Sequence, residues 1–144
     1  MNIAVNEQIE LRLFDGGYAA EYFESIRSSK SNGEAFFEAI QKKYESLEKV
    51  RARIQDAIEN KFKVDGTPDF LVYYDGKVAG VFEFHPLSAG DFLEVGFWLF
   101  PEFRGKGILA QAFPHMINYA SKNFTKSKVL ATTAVTNEPA QKLL

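Results

Sequence analysis

Asp75-Gly76 stands between two runs rich in aromatic and β-branched side chains, FLVYY at 70–74 and KVAGVFEF at 77–84. A two-residue connection between strands needs left-handed backbone at both central positions, and Asp-Gly is one of the few pairs that supply it. The two runs are therefore expected to form an antiparallel hairpin. That expectation puts a β-sheet at the centre of the fold and makes the rest of the chain answer to it.

Upstream, Ile9, Leu11 and Leu13 alternate with Glu10 and Arg12, the period of a half-buried strand over about 8–14. After Gly16 and Gly17, the residues Tyr18, Tyr22, Phe23 and Ile26 recur at helical spacing until a Ser/Asn/Gly cluster from Ser28 to Gly33. Phe36, Ile40, Tyr44, Leu47, Ile54 and Ile58 mark a second helical region with a break near Ser46, which could cap a new helix. These helices are expected to cover one face of the sheet. Downstream, a turn around Ser88 to Asp91 leads to a strand over about 92–100, and then a helix with the stripe Ile108, Ala112, Phe113, Met116 and Ile117. A further strand, about 129–135, and a helix start at Asn137 follow. The order is a mixed α/β (α+β) pattern, a mostly antiparallel sheet flanked by helices. With 144 residues, 46% of them apolar, the chain can fill one core, so residues 1–144 read as a single domain. It stops at Leu144, early in that last helix, and the expectation is a domain truncated at its C-terminus, with C-terminal strands missing.

No cysteine is present, which excludes a disulfide framework and thiolate metal sites. His85 and His115 lie far apart with no metal-ligand spacing, so no metal is expected. The opening MNIAVNEQIELRLF carries acids where a secretion signal needs a basic end, and no apolar run is long enough to span a membrane. A cytoplasmic protein is expected, with neither membrane nor nucleic acid as partner. A net charge of -2 argues against a general nucleic-acid coat.

That charge is unevenly spread. Between Phe103 and Asn137 there is no Asp or Glu, whereas Arg104, Lys106, Lys122, Lys126 and Lys128 give the stretch +5 and leave -7 on the remainder. At its start, Arg104-Gly105-Lys106-Gly107 connects a strand to a helix. A helix start offers unpaired N–H groups and a positive dipole end, and glycines let phosphate oxygens approach the backbone. This is a diphosphate site in outline. Gly105-x-Gly107-x-x-Ala110 also fits a loose dinucleotide fingerprint, but the acid that should hold a ribose about 20 residues later is missing. A nicotinamide enzyme is thereby disfavoured, and no Walker triplet is present.

With its lead-in strand, the stretch GFWLFPEFRGKGILAQAF resembles the GNAT acetyltransferase superfamily, whose signature is a central strand, then [RQ]-x-x-G-x-[GA], then a helix. Arg104 and Gly107 match, while Leu109 departs from the small residue at the last position. The similarity is closest to the ribosomal-protein N-terminal acetyltransferase branch and runs over about 70–144, through VTNEPAQKLL. It implies acetyl-CoA as acyl donor. It further implies that the backbone of Trp98, Leu99 and Phe100 faces the pantetheine arm in a gap between splayed strands. Gly105, Lys106, Gly107 and Ile108 would hold the diphosphate with help from Arg104, and Asn137 would bond the arm. Gly96 is the expected site of strand distortion.

Acetyl transfer needs a deprotonated amine, and an alkylammonium has a pKa near 10, so a base is required. Glu94, on the central strand among Phe92, Leu93, Val95 and Phe97, is the first candidate, because burial there would make its carboxylate more basic. Glu83 on the preceding strand is the second. Many family members place a tyrosine acid seven residues after the asparagine, where this chain has Leu144. Water or a hydroxyl such as Ser88 could take that part. The expected activity is N-acetyl transfer to a primary amine, either a protein N-terminus or a small molecule. The alternative is a noncatalytic acyl-CoA-binding module. Homodimerisation is left open.

Overall fold

The computed structural model describes residues 2–61, 69–86, 92–123 and 128–131. Six strands form one sheet in sequence order: β1 (Asn2–Ala4), β2 (Ile9–Leu13), β3 (Phe70–Tyr74), β4 (Lys77–Pro86), β5 (Phe92–Leu99) and β6 (Lys128–Ala131). Neighbours from β1 to β5 are antiparallel, and β5 pairs with β6 in parallel over Phe92–Val95. The β3–β4 hairpin closes as its sequence requires, with Tyr74 opposite Lys77 and φ of 49° at Asp75 and 77° at Gly76. β1 has no counterpart in the sequence reading, because three residues are too few to show a period.

Alternation on the strands sorts side chains to two covered faces. Leu71, Tyr73, Val78 and Val81 pack under three helices, α1 (Ala19–Ser28), α2 (Ala35–Lys43) and α3 (Leu47–Lys61). Phe70, Val72, Phe82, Phe84 and Val95 pack under α4 (Ile108–Asn123), whose stripe Ile108, Ala112, Met116 and Ala120 is buried. The break between the second and third helices falls where Ser46 predicts it, and Ser46 Oγ accepts the Lys49 N–H at 3.3 Å.

The described irregularity lies at Ala79, between β3 and β4, whereas Gly96 is regular on its β4 side and follows Val95, the last described partner of β6. Gly96 pairs in regular register with Glu83. Instead, the β3–β4 pairing steps from Val72↔Gly80 to Tyr73↔Val78, so Ala79 is the extra residue of a bulge. Beside it β4 and β5 approach so closely that a Cβ on Gly80 would lie 2.1 Å from the Trp98 carbonyl oxygen.

Candidate active site

β5 ends at Leu99, a short 3-10 turn occupies Pro101–Phe103, and the chain reaches α4 through Arg104 to Gly107. Gly105 and Gly107 have φ of 78° and 71°, left-handed backbone that strains any residue with a Cβ. Between them they aim the first turn of α4 outward from the strand end. Helix geometry leaves the N–H groups of that turn without intrahelical acceptors, and among the described residues no other acceptor meets those of Gly105 to Ala110. Gln111 braces the turn by donating its backbone N–H to Gly107 O at 3.1 Å and its side-chain amide to the same oxygen at 3.0 Å. Ile108 is buried and anchors the helix, and Leu109 packs against the α4-side core.

The two cations of the turn are placed differently. Arg104 folds back, donating Nε and Nη2 to Leu99 O at 3.2 and 3.1 Å and pairing through Nη1 with Glu34 at the start of α2. Its guanidinium ties the turn to the strand end. Lys106 is exposed, with Nζ 5.7 Å from the Tyr74 ring centroid.

Strand polarity refines which backbone groups the cofactor arm could meet. Phe100 N–H donates to Ala79 O at 2.8 Å, and the Trp98 carbonyl points at Gly80. Trp98 and Phe100 therefore turn their backbone toward β4. By the alternation of an antiparallel ladder, Phe97 and Leu99 turn theirs toward β6. Of the three residues expected to face the arm, Leu99 has that orientation. The Trp98 side chain lies on the α1–α3 face, against Tyr22, Phe36, Phe37 and Phe100.

Glu94 is half-buried on that same face, two residues from Gly96. Glu83, directly across from Gly96, accepts from Arg53 Nη2 at 3.0 Å, and the same atom donates to Asp69 Oδ2 at 2.6 Å. Burial works against the charge of Arg53, but the two carboxylates outweigh it and hold the guanidinium firmly protonated. Sequence reading did not find Arg53 or Asp69. The available signal was a charged residue within the apolar stripe Val50, Ile54 and Ala57 of α3. Asn137 and Leu144, with the expected turn at Ser88, lie outside the described residues.

A family model described as acetyltransferase (GNAT) domain matches residues 8–144. The chain belongs to the GNAT acetyltransferase family. Among curated proteins, "Putative ribosomal N-acetyltransferase YdaF" of Bacillus subtilis (strain 168) is 35% identical over 69 residues, which is 47% of this chain and 38% of that protein. Among solved structures, the Salmonella typhimurium acetyl transferase that modifies the N-terminal serine of ribosomal protein L7/L12 superposes with a TM-score of 0.76 at 20% identity. That match covers 99% of this chain and 81% of that one. The microcin C7 self-immunity acetyltransferase MccE, solved with acetyl-CoA and AMP, gives a TM-score of 0.79 at 22% identity, covering 98% and 78%. At those identities the structures attest the GNAT fold, which is the fold the sequence predicts. No helix among the described residues is long and apolar enough to cross a membrane.

Proposed function

We propose that the protein transfers an acetyl group from acetyl-CoA to a primary amine by direct attack. The observation that carries this reading is the Gly105/Gly107 turn, which presents the N-terminal N–H groups of α4 immediately beyond the strand that bears Glu94. The backbone of Gly105 to Ile108 would bind the diphosphate, with Lys106 adding charge and Arg104 holding the turn in shape. Leu99 would pair with the pantetheine arm, and Asn137 remains the proposed further bond to it. The solved MccE complex with acetyl-CoA supports this donor.

In the reaction, the amine nitrogen bonds to the acetyl carbonyl carbon, the carbon–sulfur bond breaks and sulfur departs as thiolate. Glu94 accepts, directly or through water, the proton that the ammonium must lose. Once bonded to carbon, the nitrogen sheds a second proton, which water relays to the departing thiolate, so that coenzyme A leaves as the free thiol. The acceptor class we favour is a protein N-terminus, on the strength of the relatives named for ribosomal proteins. A cytoplasmic location goes with that acceptor.

The test is release of free thiol from acetyl-CoA across a panel of N-terminal peptides, alkylamines and polyamines. Glu94→Gln is expected to slow turnover by about 100-fold or more while calorimetric affinity for acetyl-CoA changes little, as loss of a general base should. Normal turnover in that variant removes Glu94 from the mechanism. Tight acetyl-CoA binding with no transfer to any amine would instead identify a noncatalytic binding module.

A further inference from the structure

A trans peptide holds the C=O of one residue and the N–H of the next in opposite directions, so whatever aims Gly107 O also aims the Ile108 N–H. Gly107 O accepts twice from Gln111, from its backbone N–H at 3.1 Å and from its Nε2 at 3.0 Å. Both bonds draw the oxygen along α4, and the Ile108 N–H is thereby turned out of the helix start. Gly107 has φ of 71° and no Cβ to restrain its rotation, which makes the second bond matter more there than it would at a bulkier residue.

The Gln111 side chain is itself held from a distant part of the chain. Its Oε1 accepts from Asn6 Nδ2 at 2.9 Å, across 105 residues of sequence. Asn6 lies in the turn between β1 and β2, where its Oδ1 accepts the N–H groups of Gln8 and Ile9, both at 2.8 Å. Since Oδ1 is committed to two donors and Nε2 of Gln111 to a carbonyl, one orientation of each amide satisfies every partner, and in it Nδ2 meets Oε1. The β1–β2 turn is a firm support. Val5 and Asn6 both donate N–H to Ile9 O, at 3.0 and 3.2 Å, while Gln8 O accepts the Asp75 N–H at 2.8 Å and Gln8 Nε2 donates to Tyr74 Oη at 3.2 Å. We propose that Asn6 and Gln111 are positioning residues for the cofactor's diphosphate: Asn6 fixes the Gln111 amide, the amide fixes the Gly107–Ile108 peptide, and that peptide presents its N–H to phosphate oxygen. The inference rests on the acetyl-transfer reading above and adds to it a support that reaches the glycine turn from the first hairpin of the chain.

The test is calorimetric affinity for acetyl-CoA, alongside steady-state transfer from acetyl-CoA and from acetyl-pantetheine, which carries no diphosphate. Gln111→Met keeps the length and helix preference of the side chain and removes both of its hydrogen bonds. It is expected to weaken acetyl-CoA binding and raise acetyl-CoA KM by about threefold to tenfold, the weight of a neutral hydrogen bond or two, with kcat little changed. Asn6→Asp keeps the acceptor for Gln8 and Ile9 N–H but cannot donate to Gln111, so the β1–β2 turn should survive while acetyl-CoA affinity falls. A new negative charge could lower that affinity by itself, and the double variant separates the two causes. If the link is the cause, Asn6→Asp has little further effect in the Gln111→Met background, whereas a charge effect persists there in full. Unchanged acetyl-CoA affinity in Gln111→Met, additive losses in the double variant, or an equal loss of kcat/KM with acetyl-pantetheine overturns the proposal. Acetyl-CoA binding that depends on Gln111 without transfer to any amine would sink only the catalytic reading, and transfer with wild-type acetyl-CoA affinity in both single variants would sink only this inference.

Discussion

Gly107 and Gly80 show two different reasons for a glycine within one site. At Gly107 the space is open, with only the Gln111 amide 3.6 Å from an added Cβ, but φ of 71° penalises any side chain. Gly107→Ala is therefore expected to cost about 1–2 kcal/mol in the turn conformation and to weaken acetyl-CoA binding, read by calorimetry, with the rest of the fold intact by circular dichroism. Undiminished affinity would separate the turn from the cofactor. At Gly80 the backbone is ordinary and the space is missing, because the Trp98 carbonyl fills it. The first reason could be anticipated from Arg-Gly-Lys-Gly between a strand and a helix. The second arises only when β4 pairs with β5 so that Gly80 lies against Trp98 and Leu99.

Among the elements, the hairpin and the helix boundaries follow from local chemistry. Asp75-Gly76 sets the register of β3 on β4, and Ser46 starts α3 by capping it. Ser46→Ala should lower stability by about 1 kcal/mol, measured as a reduced urea midpoint with unchanged slope. No change would mean that packing of Val50 and Ile54 alone fixes the helix start. The α1–α2 segment is held by contacts that are not local at all. Ser29 Oγ donates to Glu102 Oε1 at 2.5 Å, and Glu34 pairs with Arg104, so the approach to α2 is bonded to the strand-side end of the glycine turn. Gln41 supports it by donating to Ile26 O and Ser29 O at 3.0 and 2.7 Å. Periodicity located these helices but could not show that they brace the turn, since the partners are some 70 residues apart.

For the molecule as a whole, the buried phenols set an alkaline limit. Burial raises Tyr22 above the ordinary value of 10.0, and burial with the 2.7 Å bond to Glu21 does the same for Tyr73. Above about pH 10 the unfolded chain gives up phenolic protons that the folded chain keeps, so the unfolded state binds fewer protons and stability falls as pH rises. Below that value both states are protonated and these groups contribute no pH dependence. Thermal midpoints should hold near neutrality and drop above about pH 10, and Tyr22→Phe should flatten the drop. An identical decline in that variant would assign the loss to other groups.

The sequence by itself determined the succession of elements from β2 onward, the hairpin and the glycine turn, because each depends on the conformational demands of a few adjacent residues. It also marked Glu94 as a residue to test. Only the tertiary structure decided that Arg104 turns inward to Leu99 O and Glu34, that Trp98 and Phe100 turn their backbone groups toward β4, and that Arg53 gathers Asp69 and Glu83 beside Gly96. Those outcomes depend on which strand faces which and how closely, and residues 53, 69, 83 and 96 meet only once the sheet is built and a helix is laid over it.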